Sequence, residues 1–185
     1  MQARVHELGA LLGASVFGPG ATIVDGAGND TRELRPGQIF VALRAERDGH
    51  DFVGAARRSG ASAALLEHPV DVDLPQVVVD DTGASLLRMG SWARTKLSCP
   101  VIGVTGSVGK TTTKDLLASI HVPLGAVASS NRSFNNEVGV PLTLFNASPD
   151  AVVAIVEMGA RDVGHIALLC EIAAPTTAVV TAVTP

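Results

Sequence analysis

The stretch that most constrains the fold is VIGVTGSVGKTTTKDLL, residues 101–117. A short apolar run leads into a turn that contains Gly106 and Gly109, and the turn is followed by Lys110 and three threonines. Glycines let the backbone turn tightly and bring its N–H groups against phosphate oxygens, and the N-terminus of a following helix adds positive potential. The pattern therefore predicts a strand, a phosphate-binding loop and a helix.

Two side chains in this loop have chemical roles in such an arrangement. Lys110 is placed to reach the β- and γ-phosphates of a nucleotide, and the hydroxyl of Thr111 is placed to bind magnesium. A glycine turn followed by a solvated lysine is the alternative, and the predicted strand before and helix after the loop favour phosphate binding. The common consensus has glycine six residues before the lysine, where this chain has Val104. We therefore predict a variant phosphate loop.

A carboxylate for the same metal is supplied by AVVAIVEMGA, residues 151–160, in which an apolar run ends at Glu157. Parallel α/β sheets hold their ligands at the carboxyl ends of their strands. A glutamate at a strand end is by itself more often a solvated charge. Together with the loop, the position of Glu157 predicts a magnesium ligand.

The stretch SNRSFNNEVGVP, residues 130–141, supplies two adjacent amides, Asn135 and Asn136. Amide side chains are able to orient a phosphate or a water molecule. Asparagine pairs are also common in turns, so a structural role for either residue stays open at this point.

The fold class follows from the order of apolar runs. After SCP at residues 98–100, near-continuous Val/Ile/Ala runs alternate with helical patterns, which indicates a parallel sheet covered by helices. The preceding residues 1–97 mix short strands and helices. The predicted strands are 21–26, 38–43, 62–67, 76–81, 101–104, 151–156 and 177–183, and the predicted helices are 3–13, 48–61, 81–97, 110–119, 137–145 and 164–172.

The composition describes an ordinary mildly acidic protein. The formal charge is -4 and charged residues make up 17% of the chain, which does not favour nucleic-acid binding. Cys99 and Cys170 lack metal-ligand spacing and are expected to be reduced and buried. No apolar run suits a signal peptide or a membrane span, so we expect a cytoplasmic location.

Several motifs together resemble the Mur ligases, which build the peptide of the bacterial cell wall. The phosphate loop of that family reads T-G-[ST]-x-G-K-[ST], which residues 105–111 match. NNEVGVPLTL, EMGARDVGHIALL and DTRELRPGQIFVALRAERDGHDF are also similar to the family, so the resemblance covers the chain from about residue 28. It implies an α/β protein: a small mixed substrate domain at residues 1–97, followed by a truncated parallel-sheet P-loop ATPase domain at residues 98–185.

The resemblance also implies a role for each matching residue. His165 stands where the family commonly has glutamate, so no carboxylate function is expected there, and Ala45 replaces a usual glycine. The residues implied for ATP are Thr105, Gly106, Ser107, Val108, Gly109, Lys110, Thr111 and Thr112; for magnesium, Thr111 and Glu157; for catalysis, Lys110, Asn135 and Asn136; and for the nucleotide-sugar substrate, Thr31, Arg32, Asp48 and His50.

The chemistry that the resemblance implies is ATP-dependent amide formation in two steps. The terminal carboxylate of a UDP-N-acetylmuramoyl tripeptide attacks the γ-phosphate of ATP to give an acyl phosphate. The amine of D-alanyl-D-alanine then attacks the acyl carbonyl, and phosphate leaves. ATP and Mg²⁺ are the implied cofactors.

In that family the central domain continues beyond a strand such as AVVTAVTP and is followed by a third domain. The resemblance therefore implies an incomplete ligase that is inactive alone and lacks its C-terminal part. Two alternatives stay open. One is a short protein that binds the UDP-muramoyl peptide without turnover, and the other is an unrelated P-loop NTPase or kinase.

The phosphate loop gives the first testable prediction. In a complete enzyme, Lys110→Ala is expected to lower the turnover rate by at least about 100-fold, because the lysine offsets charge on the transferring phosphoryl group. Steady-state kinetics measure this effect. Near-normal turnover in the variant would contradict the assigned role.

Overall fold

The chain folds into two units, Met1–Met89 and Gly90–Pro185, in a computed structural model that describes residues 1–130 and 134–183. The division falls inside one helix, Thr82–Lys96, shortly before the predicted boundary at residues 97 and 98. The substrate and nucleotide roles assigned to the two domains stay predictions at this stage.

The first unit contains a two-stranded antiparallel ribbon and a five-stranded sheet. A 3₁₀ turn, Gly49–Phe52, precedes the second helix. The elements are β1 (Gln2–Arg4), α1 (Val5–Leu12), β2 (Ser15–Phe17), β3 (Ile23–Asp25), β4 (Ala27–Gly28), β5 (Ile39–Val41), α2 (Val53–Arg58), β6 (Ala63–Leu66), β7 (Gln76–Val78) and α3 (Thr82–Lys96), whose last residues belong to the second unit.

The five-stranded sheet has the order β2-β7-β6-β5-β4. Its four strands β4 to β7 are parallel, and β2 runs antiparallel along β7. All residues of β5 and β6 are buried, as expected for strands covered on both faces. Side chains of these strands, including Phe40 and Leu66, pack against Val53 and Ala56 of α2. The carboxyl ends of β5 and β6 therefore lie side by side at one edge.

Within its described residues, 90–130 and 134–183, the second unit contains one four-stranded parallel sheet and three further helices. A short 3₁₀ turn, Val122–Leu124, follows the first of these helices. The elements are β8 (Val101–Thr105), α4 (Lys110–His121), β9 (Val127–Ser129), α5 (Gly139–Phe145), β10 (Val153–Glu157), α6 (His165–Ala173) and β11 (Thr177–Val180).

Strand order places the end of β8 at the centre of this sheet. The order is β11-β8-β10-β9, so the chain passes to one side of β8 after α4 and to the other side after α6. The register sets Glu157 opposite Val104, next to the point where β8 enters the glycine loop. Leu117 and Ala118 of α4 pack on Ile155 and cover this face. Ligands of open α/β sheets bind at such a switch point.

The structure confirms the mixed α/β class and the parallel sheet of the second unit. The helix predicted for residues 48–61 is a 3₁₀ turn followed by the short α2. The two cysteines are free thiols, Cys99 buried and Cys170 half-buried. Sequence analysis missed four short strands: β1, β2, β4 and β9. β9 has the sequence VAS and β4 is only two residues long, so neither carries a detectable alternation of apolar residues.

One close approach in the second unit requires glycine. A Cβ at Gly90 in α3 would lie 2.4 Å from Cβ and 2.6 Å from Cα of Pro141 in α5. Real Cβ atoms do not approach backbone so closely. Helices α3 and α5 can therefore pack at this distance only because residue 90 has no side chain.

We expect Gly90→Ala to lower the free energy of unfolding of the second unit by about 1–3 kcal/mol, because overpacking outweighs the higher helix propensity of alanine. Urea titration followed by fluorescence of Trp92, the single tryptophan, reports on this unit, since its ring centroid lies 6.0 Å from that of Phe145. Gly54→Ala in α2 of the first unit, whose Cβ would be 3.7 Å from the nearest atom, in Arg58, is the control and is expected to leave the unfolding transition of the second unit unchanged. An unchanged or higher stability of Gly90→Ala would contradict the packing argument.

Candidate functional site

The predicted phosphate loop is the turn between β8 and α4. Gly106 has φ = +133° and Gly109 has φ = +87°, conformations that other residues rarely adopt. The helix begins directly after Gly109, with the Thr113 N–H donating to the Gly109 carbonyl at 2.9 Å. The strand, glycine turn and helix N-terminus of the predicted arrangement are therefore all present.

Lys110 is the first residue of α4, and its ammonium group folds back over the loop. Nζ donates to the carbonyl oxygen of Gly106 at 2.6 Å and lies 3.3 Å from that of Ser107. The side chain is half-buried. The positive charge is thus held over the turn where phosphates are predicted to bind.

Thr111 and Glu157 come together as the sequence predicts. The Thr111 hydroxyl donates to Oε2 of Glu157 at 2.9 Å, and the glutamate is only 2% exposed. The other carboxylate oxygen, Oε1, accepts a hydrogen bond of 3.1 Å from the side-chain amide of Asn135. One buried carboxylate thus joins the end of β10, the first turn of α4 and the segment before α5.

The two adjacent asparagines differ in position. The side-chain oxygen of Asn136 accepts hydrogen bonds from the N–H groups of Val138, at 3.2 Å, and Gly139, at 2.9 Å, at the start of α5. This is a turn-forming role. The structure brings Asn135 to Glu157 and uses the side-chain oxygen of Asn136 to begin a helix. Residues 131–133 of the same stretch lie outside the described residues.

An open cleft of about 440 Å³ lies at the glycine loop. It is lined by the loop and the start of α4 on one side and by Asn135 and Glu157 on the other. The side chain of Val108 at its rim is exposed. Thr105 ends β8 directly before the loop. The lining residues are Ser107, Val108, Gly109, Lys110, Thr111, Thr112, Asn135 and Glu157.

The donor set at the cleft fits magnesium. A carboxylate and a hydroxyl are hard oxygen ligands, and Mg²⁺ is usually bound by one or two carboxylates together with substrate phosphates and water. Within residues 1–130 and 134–183, no group of three or more His, Cys, Asp or Glu side chains is arranged to hold a metal. Glu157 and Thr111 are the oxygen ligands at the cleft that would hold such an ion.

Sequence analysis missed Thr181, which follows β11 and shapes the loop. Its hydroxyl lies 2.6 Å from the carbonyl oxygen of Val108 and 3.1 Å from that of Thr105. A Cβ at Gly106 would lie 2.2 Å from the same hydroxyl oxygen, so the glycine is required by contact as well as by φ. The partners of Thr181 are backbone carbonyls, which leave no motif in the sequence.

His165 opens α6 and pairs with a carboxylate near the site. Its Nε2 lies 3.1 Å from Oε1 of Glu137, which follows the asparagine pair. The expectation that position 165 has no carboxylate function stays a prediction.

In the first unit, Asp48 and His50 form a connected pair at the start of the 3₁₀ turn. Asp48 Oδ1 accepts from the backbone N–H of His50 at 2.9 Å, and His50 Nδ1 lies 2.6 Å from the same oxygen. Nε2 accepts from the backbone N–H of Glu67 at 2.8 Å, so the proton of the neutral ring lies on Nδ1 and is donated to Asp48. His50 is buried and supports the loop, with both ring nitrogens engaged.

The other two predicted substrate residues lie on a separate turn. The Arg32 guanidinium is paired with Asp30, with Nε donating to Oδ1 at 2.9 Å, and its side chain is largely exposed. The carbonyl of Thr31 accepts from the hydroxyl of Ser59 at 3.0 Å. Contact of Thr31, Arg32, Asp48 or His50 with a nucleotide sugar stays a prediction.

The strand, variant glycine loop, lysine and buried acidic strand end define a phosphate-loop protein of the α/β class. Residues 104–185 match the Mur ligase middle domain. With the relatives that follow, this match places the chain in the Mur ligase family.

Curated relatives match both units. The UDP-N-acetylmuramoyl-tripeptide–D-alanyl-D-alanine ligase of Escherichia coli K12 is 38% identical over 177 residues, which is 95% of this chain and 39% of that protein. The ligase of the same name from Synechocystis is 45% identical over 156 residues, covering 82% of this chain and 34% of that protein. The chain thus spans less than two fifths of the length of these relatives. Matches along most of the chain argue against an unrelated phosphate-loop NTPase.

Solved structures give the same result. MurF from Acinetobacter baumannii superposes with a TM-score of 0.84 at 31% identity, covering 97% of this chain and 41% of that one. MurF ligase from Thermotoga maritima, solved in complex with ADP, has a TM-score of 0.70 at 35% identity, covering 86% and 38%.

Within the described ranges of this chain, no helix is both long and apolar enough to cross a membrane.

The Asp48–His50 pair generates a pH prediction. Hydrogen bonds from the backbone N–H and then the ring of His50 hold the pKa of the Asp48 carboxyl below its usual value. Because the folded pKa lies below the unfolded one, ionised Asp48 stabilises the fold above the unfolded pKa, and this contribution is lost as pH falls through the lowered pKa.

We therefore expect the stability difference between wild type and Asp48→Asn to be largest near neutral pH and to shrink below about pH 4. Thermal melts between about pH 3 and pH 7 measure it. Asp51→Asn is the matched control, because Asp51 is exposed and close by. A difference that does not change with pH would contradict the role of the Asp48 charge.

Proposed function

We propose that this chain provides the nucleotide-binding and UDP-sugar-peptide-binding parts of an ATP-dependent ligase. The ligase joins D-alanyl-D-alanine to a UDP-N-acetylmuramoyl tripeptide in the synthesis of peptidoglycan precursors. The observation that carries the proposal is the buried Glu157, which contacts Thr111 of the phosphate loop and Asn135 at the mouth of the same cleft. The names of the relatives supply the substrates.

The proposed reaction has two balanced steps. In the first, a carboxylate oxygen of the tripeptide forms a bond to the γ-phosphorus of ATP, and the bond to the bridging oxygen breaks so that ADP leaves. In the second, the amine of D-alanyl-D-alanine bonds to the acyl carbon, loses a proton, and inorganic phosphate leaves. Positioning and charge neutralisation do most of the work in phosphoryl transfer.

The residues of the loop have separate tasks in this scheme. Lys110 exchanges its bonds to the Gly106 and Ser107 carbonyls for phosphoryl oxygens and offsets their negative charge. Thr111 and Glu157 hold magnesium, which when bound neutralises charge on the phosphate oxygens. Asn135 fixes the orientation of the Glu157 carboxylate and presents its amide to the cleft.

The first unit is proposed to bind the nucleotide-sugar end of the acyl donor. Arg32 is largely exposed and Asp48 partly exposed, and both bear charge, while buried His50 holds the loop that presents Asp48. Arg44 lies 2.8 Å from Glu67 at the same sheet edge. Polar groups at the carboxyl ends of parallel strands are where α/β proteins bind such ligands.

Magnesium-dependent nucleotide binding tests the proposal in the second unit. Titration calorimetry with ADP or ATP is expected to show affinity that rises when Mg²⁺ is added. Glu157→Gln keeps the shape of the side chain but removes its charge, so we expect it to abolish most of this rise, a loss of at least about tenfold. Glu171→Gln is the matched control, because Glu171 is an exposed glutamate in α6.

A second measurement tests the first unit. The UDP-muramoyl tripeptide is expected to raise the melting temperature of the chain, because a ligand that binds only the folded state stabilises it. Binding of this ligand together with magnesium-insensitive nucleotide binding would favour a non-catalytic binding protein. Failure of both ligands to bind would contradict the proposed function.

A further inference from the structure

One residue outside the phosphate loop holds both ends of its glycine turn. Thr181 directly follows β11, which pairs with β8 on the side away from β10. Its backbone N–H donates to the carbonyl of Thr105 at 2.9 Å, and its hydroxyl lies 2.6 Å from the carbonyl of Val108. The hydroxyl is also 3.1 Å from the Thr105 carbonyl, and because it has one proton, the shorter contact to Val108 is its hydrogen bond.

The bond to Val108 sets the direction of one backbone N–H of the loop. In a planar trans peptide, a carbonyl and the N–H of the next residue point in opposite directions, and none of the described peptide bonds is cis. The Val108 carbonyl points at Thr181, so the N–H of Gly109 points away from it. Gly109 lines the cleft together with Lys110 and Glu157. The hydroxyl thus keeps the N–H of a residue that lines the cleft turned away from β11.

The conformational freedom of Gly109 explains why this peptide needs support. Gly109 has φ = +87°, and glycine adopts positive and negative φ about equally well, so the peptide plane before it is able to turn over. A plane turned over would present the carbonyl oxygen of Val108 to an incoming phosphate and withdraw the N–H. Glycine-rich loops bind phosphate through N–H groups that face the anion. A hydroxyl that binds this carbonyl therefore stabilises the orientation that an anion requires.

We propose that Thr181 is a positioning residue for phosphate binding. Its hydroxyl holds the Val108 carbonyl toward β11, so that the Gly109 N–H stays available to the phosphates of a bound nucleotide. Thr181 acts through this peptide and is not among the residues that line the cleft. The inference rests on the proposed nucleotide site and adds to it a residue that lies outside the loop motif.

Two variants that differ by a single oxygen atom isolate the hydroxyl. Thr181→Ala removes it, and Thr181→Ser keeps it. In titrations of the whole chain with ADP and Mg²⁺, we expect Thr181→Ala to bind about three- to tenfold more weakly than wild type, the effect of one hydrogen bond, and Thr181→Ser to bind within about twofold. Thr177→Ala is the matched control and is expected to bind as wild type, because Thr177 is an exposed threonine of the same strand that pairs with Ile102, away from the loop.

Nuclear magnetic resonance separates positioning from general support of the fold. An amide proton that donates to an anionic oxygen forms a strong hydrogen bond and shifts downfield. The amide resonance of Gly109 is therefore expected to move downfield when ADP and Mg²⁺ saturate the wild type or Thr181→Ser. A clearly smaller shift is expected in Thr181→Ala at saturation. If Thr181→Ala does not fold, Thr181→Val, which also lacks the hydroxyl, replaces it with the same expected and contrary outcomes.

Three results would overturn the inference. They are wild-type affinity of Thr181→Ala for ADP, an equal loss of affinity in Thr181→Ser or Thr177→Ala, and a full downfield shift of the Gly109 amide in Thr181→Ala. Failure of ADP to bind the wild type would instead contradict the proposed function, and the inference with it.

Discussion

The parallel pairing of β8 with β10 is the constraint on which the site depends. The pairing sets Glu157 opposite Val104, so a carboxylate arrives next to the glycine loop without any contribution from the loop itself. Glu157 is buried, and burying a charged carboxylate is costly unless other groups pair or hydrogen-bond with it. Thr111 is one such group and Asn135 is another. A bound metal would be a further partner of the kind that such a carboxylate favours.

The first unit also has a buried polar side chain, His50, at the carboxyl edge of its five-stranded sheet. His50 connects the Asp48 carboxylate to the backbone N–H of Glu67, directly after β6. The side chain of Glu67 continues the network, because its Oε1 lies 3.1 Å from the hydroxyl of Thr82. Networks of this kind fix loop geometry because each member satisfies its neighbour. The two units thus share a plan in which parallel strands provide the frame and buried polar contacts hold the loops at their carboxyl ends.

A feature could be predicted from the sequence when the residues that form it lie close together along the chain. The phosphate loop was predictable because glycine spacing, Lys110 and Thr111 lie within a few residues, and Glu157 because a strand end is recognisable from the apolar run before it. Asn135 and Asn136 are the same residue type in adjacent positions, and only the backbone direction decides which amide faces Glu157. Thr181 was not predictable as a support of the loop, because its partners are backbone carbonyls 73 and 76 residues away and any residue supplies a carbonyl.

The folded-back position of Lys110 has a consequence for which anions the loop accepts. Its ammonium already has a carbonyl oxygen at 2.6 Å and another at 3.3 Å, so an incoming anion must replace existing bonds rather than fill an empty place. A small singly charged ion makes a weaker interaction with the ammonium group than is needed to replace its contacts with two carbonyl oxygens. A polyphosphate brings several anionic oxygens at once, and it also engages the helix N-terminus. On the proposed function, the loop is therefore expected to favour polyphosphates over small monovalent anions.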